Sequence, residues 1–295
     1  MAETAEKTNA QKVREIELIT RRLVSDTLAG QYHAVFKGRG MSFDSVREYQ
    51  PGDDIRTIDW NVSARTGGIF VKQYVEEREL TVLVAVDLSA SQNFGTDKRS
   101  KRELAAEIAA VLAFSAISNN DRVGIILFSD RIERYIPPKK GRGHVMRLVL
   151  ELLEFQPKGQ GTRIDVALDY VSRIARKRAV VFVLSDFIGE GYERSLGVLA
   201  RRHDVVPIVT SDKVDKEWPL PTGLWLLEDP ETGAVLPFDA NSQPSRNQFW
   251  QRAVVAGKKR EQQARKFGLE PISAVVGQDY LKDLVAYFRR RAARQ

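Results

Sequence analysis

Asp87-Leu88-Ser89-Ala90-Ser91 sets three oxygen-bearing side chains at alternate positions of one short stretch, and Ser185-Asp186-Phe187 offers a second carboxylate far along the chain. Between them, Gly159-Gln160-Gly161-Thr162 brings another hydroxyl to the start of a helix. Two carboxylates at close quarters repel unless a proton or a cation lies between them. Carboxylate and hydroxyl oxygens, with water, are what a hard divalent ion accepts, and magnesium favours oxygens at about 2.1 Å while keeping several waters. The pattern reads as a magnesium site made by Asp87, Ser89, Ser91, Thr162 and Asp186, with direct hydroxyl ligands and carboxylates acting partly through water. Manganese and calcium fit the same donors.

Each residue also has an ordinary explanation. Ser89 and Ser91 could cap the loop before a helix, Thr162 with Asp165 fits a capping pattern, and an Asp after a strand is a common turn residue. What favours the site is the combination, with both acids at strand ends.

Such a site needs its acids on one edge of a sheet. Residues 80–86 (LTVLVAV) and 179–184 (AVVFVL) are almost continuously apolar and β-branched, as expected of strands covered on both faces. Around them the hydrophobic period predicts helices over 103–119, 144–155, 163–176 and 192–202. Strands are predicted over 123–128 (paired with 133–136) and 205–209. A hairpin over 218–239 turns near Glu231-Thr232-Gly233, followed by a basic helix over 246–267, a strand over 272–276 and a helix over 280–293. The alternation predicts an α/β fold: a doubly wound, mostly parallel sheet with helices on both faces. In such sheets ligands gather at the carboxyl ends of the strands, beside the switch in strand order.

Three zones follow. Residues 1–79 hold an amphipathic helix over 8–29, closed by Gly30, and an irregular, partly β extension expected to pack on the main domain. Residues 80–215 form the core, and 216–295 complete the α/β domain. In the extension, Trp60 and Tyr49 are expected to be buried anchors. Arg39, Arg47, Glu48, Asp53, Asp54, Arg56 and Asp59 suit internal salt bridges at least as well as partner contacts.

The composition of the 295 residues, 43% hydrophobic and 29% charged, is that of a globular chain. The absence of cysteine excludes disulfides, thiolate zinc sites, iron–sulfur clusters and cysteine nucleophiles. His33, His144 and His203 are too scattered for a histidine-rich zinc site. No apolar run approaches the roughly 20 residues that span a bilayer, and residues 1–12 lack a signal-peptide core. A soluble, cytoplasmic protein is expected. The net charge of +7 is concentrated near the end, at Arg289, Arg290, Arg291 and Arg294.

Asp87, Ser89, Ser91, Thr162 and Asp186 match, in order and strand context, the metal-ion-dependent adhesion site of von Willebrand factor A domains. The preceding stretch resembles one bacterial branch, the domain of unknown function 58 family, often encoded beside MoxR-type AAA+ ATPases. That stretch comprises Gly38-Arg-Gly-Met-Ser-Phe-Asp44, Arg47-Glu-Tyr-Gln-Pro-Gly-Asp-Asp54, Arg56, Ile58-Asp59-Trp60 and Glu77-Arg78-Glu79. The resemblance implies a von Willebrand factor A-like fold and a chaperone-like binding module rather than an enzyme. An acidic side chain of a partner would complete the metal's coordination. The partners implied are a MoxR-type ATPase and a client protein that the pair remodels, assembles or loads with metal.

Two other functions compete. A metal-dependent phosphohydrolase with Asp87 as nucleophile would want a second acid two residues on, where Ser89 stands. The sequence also lacks a Walker motif and a nucleophile elbow. Nucleic-acid binding through the basic C-terminal helices, with Lys258, Lys259, Arg260, Arg265 and Lys266, would rest on charge alone, without stacking aromatics.

Overall fold

The structure, a computed structural model, describes Gly30, Tyr32, Val35, Phe36 and residues 41–294, apart from 77–78, 96–98, 160, 216–220 and 232. The helix expected over 8–29 lies outside the described residues, as do Arg39, Glu77, Arg78 and Gln160. The chain divides into two units, Phe36–Leu80 and the remainder.

In the smaller unit, β1 (Met41–Glu48) and β2 (Phe70–Glu76) run antiparallel, joined through the short helix α1 (Trp60–Thr66). Asp59 caps α1 by accepting the N–H groups of Asn61 and Val62 at 3.0 and 3.2 Å. Gly67, at φ +74°, ends it in the left-handed conformation that a residue without Cβ adopts most cheaply. The Arg47 guanidinium forks onto both oxygens of Asp53 at 2.7 Å, and the Gln50 N–H adds a third bond. Together, Arg47 first, they lower the Asp53 carboxyl to about 2. Asp54 caps the single 3-10 turn at Ile55–Thr57. These acids thus shape the unit's own turns. The expected burial of Trp60 is corrected: it opens a helix too short to bury any residue and is 66% exposed. Tyr49 is half-buried.

The larger unit is built on a six-stranded sheet, β10-β7-β6-β3-β4-β5. Its members are β3 (Thr81–Asp87), β4 (Arg122–Phe128), β5 (Ile132–Lys139), β6 (Val180–Ser185), β7 (Asp204–Ser211) and β10 (Ile272–Val275). All pairings are parallel except β4 with β5, the antiparallel edge strand that carries Pro137 and Pro138. Crossovers are made by α2 (Lys101–Ser118), α3 (Arg142–Glu154), α4 (Ile164–Ile174) and α5 (Glu193–Arg202).

Side chains alternate across each strand, so one strand feeds two cores. Leu83, Ala85, Ile126, Phe128, Val181 and Val183 pack with Ile164, Leu168 and Val171 of α4 and with Leu196 and Leu199 of α5. On the opposite face Val84, Val123 and Ile125 meet Ala109 and Ala113 of α2 and Leu148, Val149 and Leu152 of α3. Helices cover both faces, as the continuous apolar runs predict. The alanines of α2 let that helix sink between neighbours, and residues all round it are buried.

After β7 come the hairpin β8 (Leu224–Glu228) and β9 (Val235–Asp239), which forms a two-stranded sheet of its own, then the long helix α6 (Gln243–Lys266). β10 joins the edge beside β7, and α7 (Tyr280–Ala292) packs against it. Among the described residues no helix is long and apolar enough to cross a membrane.

Candidate metal centre

Strands β3 and β6 lie side by side with Val86 level with Leu184, so Asp87 and Ser185 emerge together at their carboxyl ends. The strand order switches here: the chain leaves β3 for β4 on one side and later returns to β6 on the other. The Ser185 hydroxyl donates to Asp87 Oδ2 at 2.6 Å, and the Ser89 N–H donates to Asp87 Oδ1 at 2.9 Å. The hydroxyls of Ser89 and Ser91 are 3.2 Å apart, and Ser91 donates to Asp186 Oδ2 at 2.9 Å. Four of the five expected residues are thereby linked. Asp87, Ser89 and Asp186 are buried. Burial, then the charge of Asp186, pushes the Asp87 carboxyl up to about 7 against the pull of the Ser185 and Ser89 bonds.

Thr162, the fifth, stands on a loop fixed to the end of β4. The N–H groups of Lys158 and Gly159 donate to Glu133 Oε1 at 3.1 and 2.7 Å, and the Arg163 N–H donates to the Ser129 carbonyl at 2.9 Å. A Cβ at Gly159 would lie 2.1 Å from Asp130 Oδ1 and 2.3 Å from Ser129 Oγ, so those side chains would have to move aside. The Thr162 hydroxyl does not bond to the other four residues; it donates to Glu231 Oε1 at 2.5 Å. The capping pattern with Asp165 is not used. Arg163 is the N-cap of α4, without a side-chain cap, and Asp165 instead pairs with the Arg163 guanidinium.

Three further groups join the site from distant parts of the sequence. Lys101 Nζ lies 3.2 Å from Asp186 Oδ2 and 3.4 Å from Asp215 Oδ2. Arg260, on α6, donates to the Asp186 carbonyl at 2.9 Å. Phe187 holds φ +52°, an uncommon conformation for a side-chain-bearing residue. Its buried ring packs edge-on against Tyr192, and its N–H donates to Ser185 Oγ at 3.0 Å. Packing of the ring offsets the backbone cost and turns the chain sharply after Asp186.

Ser185 was visible in the sequence as part of the strand-end triplet. Lys101 left a fainter signal. It is the first residue of α2, behind the Ser100–Glu103 capping box, where the helix dipole disfavours a cation. A lysine placed there against local preference points to a tertiary partner.

The donors fit a hard divalent cation. They are all oxygen, and the two acids are held within one hydrogen-bonded chain. Among the described residues no three of His, Cys, Asp or Glu gather as a cage, so a cation held here would draw much of its coordination from hydroxyls. Both oxygens of Asp87 already accept hydrogen bonds, which is poor preparation for a nucleophile.

The profile of the family described as "Protein of unknown function DUF58" matches residues 45–260. The chain belongs to the DUF58 family. This DUF58 chain is 32% identical over 290 residues to the uncharacterized protein Rv1480 of Mycobacterium tuberculosis, covering 96% of the chain and 90% of that relative. It is 25% identical over 108 residues to the uncharacterized protein YeaD of Bacillus subtilis, covering 37% of the chain and 25% of that relative. Among solved structures, the conserved hypothetical protein BatB from Bacteroides thetaiotaomicron overlays with a TM-score of 0.46 at 19% identity, over 73% of this chain and all of that one. A von Willebrand factor type A structure from Catenulispora acidiphila overlays with a TM-score of 0.37 at 10% identity, over 76% of this chain and 43% of that one.

Proposed function

We propose that this DUF58 chain is a metal-dependent protein-binding module. Asp87, Ser89, Ser91, Thr162 and Asp186 hold magnesium, or manganese or calcium in its place. The ion supplies a coordination position for an acidic side chain of a partner. The carrying observation is the hydrogen-bonded chain from Ser185 through Asp87, Ser89 and Ser91 to Asp186 at the switch in strand order. In this arrangement Ser185 and the Ser89 N–H orient Asp87, and Ser91 orients Asp186.

The partner is a MoxR-type AAA+ ATPase, acting in the cytoplasm on a client protein to be remodelled, assembled or loaded with metal. Support for that partner is the motif resemblance. The engaged oxygens of Asp87 favour binding over phosphoryl transfer. On the basic helix α6, Lys259 pairs with Glu190, Arg265 with Glu261, and Arg260 with the loop after β6, which argues against a free track for nucleic acid.

The test is capture of a purified MoxR-type ATPase by the full chain, with magnesium and with chelator. Wild type should retain the ATPase only with the ion, and Asp87→Asn should lose it in both conditions. Equal capture by wild type and Asp87→Asn sinks the reading.

A further inference from the structure

The hydroxyl expected to ligate the cation is already met by a carboxylate from the same chain. Glu231 lies 69 residues beyond Thr162, at the tip of the β8–β9 hairpin. Asp229 Oδ1 accepts the Glu231 N–H at 2.9 Å, the Gly233 N–H returns to the Asp229 carbonyl at 2.8 Å, and Gly233 takes φ +70°. Asp229 thus holds the backbone of Glu231, whose side chain meets a loop that Glu133 and Ser129 hold in turn.

Electrostatics make this placement informative. The strand edge carries Asp87 and Asp186, with the Lys101 ammonium on Asp186, and Glu231 meets the loop that brings Thr162. Among the described residues no Lys or Arg pairs with Glu231; Thr162 is its side-chain partner. Among the described residues no three acids gather as a cage, so Glu231 meets the site through Thr162.

The hairpin is tied to α6 by Phe238, whose ring packs edge-on against Phe249 with centroids 5.8 Å apart. Among the described residues its two strands pair only with each other, and such a ribbon has little stability of its own. Leu224, Leu226, Val235 and Leu236 are between 54% and 81% exposed, so the ribbon is not locked down by deep burial of those side chains.

We propose that Glu231 is the chain's internal acid for the cation site, taking the coordination position beside Thr162 until a partner's carboxylate displaces it and the β8–β9 hairpin lifts away. The inference rests on the metal-binding reading above and adds a regulator to it. The partner's acid competes with a tethered one, so affinity for the partner depends on the stability of the hairpin as well as on the ion.

The experiment is a Mn2+ titration of the full-length chain followed by electron paramagnetic resonance of the free ion. Wild type, Glu231→Gln, Glu231→Asp and Asp87→Asn are compared, each with and without acetate as an external carboxylate. Metal-free thermal melts check that the variants fold. The expected result is about tenfold weaker Mn2+ binding by Glu231→Gln. Acetate should restore tightness in that variant and leave wild type unchanged, while Glu231→Asp, one methylene shorter, should fall between. If Glu231→Gln binds Mn2+ as wild type does while Asp87→Asn fails, the internal acid is overturned and the cation site stands. If wild type binds no better than Asp87→Asn, the site and its internal acid fall together.

Discussion

Lys101 and Asp186 form a buried ion pair, Nζ to Oδ2 at 3.2 Å, with 3% and 2% of their side chains exposed. The pair joins the first residue of α2 to the loop after β6, and Asp215 completes it from beyond β7. One ammonium thus offsets part of the negative charge at the carboxyl edge of the sheet.

Removing one member of this pair should be costly. Lys101→Met leaves Asp186 buried without its cation, and loss of one partner from a buried pair typically costs about 3 kcal/mol or more. Urea unfolding of the metal-free protein should show a loss of that order. Magnesium should then raise the melting temperature of Lys101→Met by more than it raises that of wild type, because the uncompensated acids attract the ion more strongly. An equal magnesium response in the two proteins would show that Lys101 and the cation do not share the same charge. By the same logic Asp186→Ala is not a neutral probe of the site, since it strands Lys101 with Asp215 alone.

Gly159 and Gly161 make a matched pair of substitutions on the Thr162 loop. Gly159→Ala drives a Cβ into Asp130 and Ser129, whereas the nearest atom to a Cβ at Gly161 is 3.9 Å away. Overpacking of this kind costs about 1–3 kcal/mol. Gly159→Ala should therefore destabilise the fold and weaken magnesium binding by shifting Thr162, with Gly161→Ala near wild type in both. Calorimetric titration with the metal reads the binding, and a shifted loop that still binds magnesium at full strength would remove Thr162 from the ligand set.

His203 should give the fold an acid-sensitive element. It caps the end of α5, and its buried Nδ1 accepts the Ala179 N–H at 3.3 Å, which places the proton on Nε2, an atom without a partner among the described residues. Burial, then the charges of Arg202 and Arg178, holds its pKa below the ordinary 6.5. The folded state therefore binds fewer protons than the unfolded chain near that pH. The stability contributed is full above about pH 6.5 and is lost as pH falls through the depressed folded value. Melting temperatures of wild type should drop more between about pH 7.5 and 5.5 than those of His203→Asn. Parallel curves would show that His203 is not the group responsible.

Legibility followed the physics of each signal. The strands β3 and β6 announced themselves because burial on both faces leaves no polar position in the run, and the acids at their ends were found by position alone. The pairing of 133–136 with 123–128, the hairpin and the basic helix over 246–267 were equally readable from period and turn residues, though the structure starts that helix at Gln243. Trp60 was misread because an aromatic carries its apolar area whether or not a neighbour covers it; only packing decides, and α1 buries nothing. Thr162 and Asp165 have the spacing of a cap, yet the adjacent Arg163 takes the acid. Lys101 with Asp186, and Thr162 with Glu231, are joined across 85 and 69 residues, a distance over which local pattern carries no information.

Pro137 and Pro138 occupy the outer strand of the six-stranded sheet. Neither has an N–H to give, so that flank cannot be lengthened by a strand from another chain in regular register, and end-to-end fusion of sheets into fibres is blocked there. The opposite flank is the four-residue β10, with α7 packed against it. Pairing of this sheet with another chain through shared backbone ladders is thereby discouraged at both of its flanks.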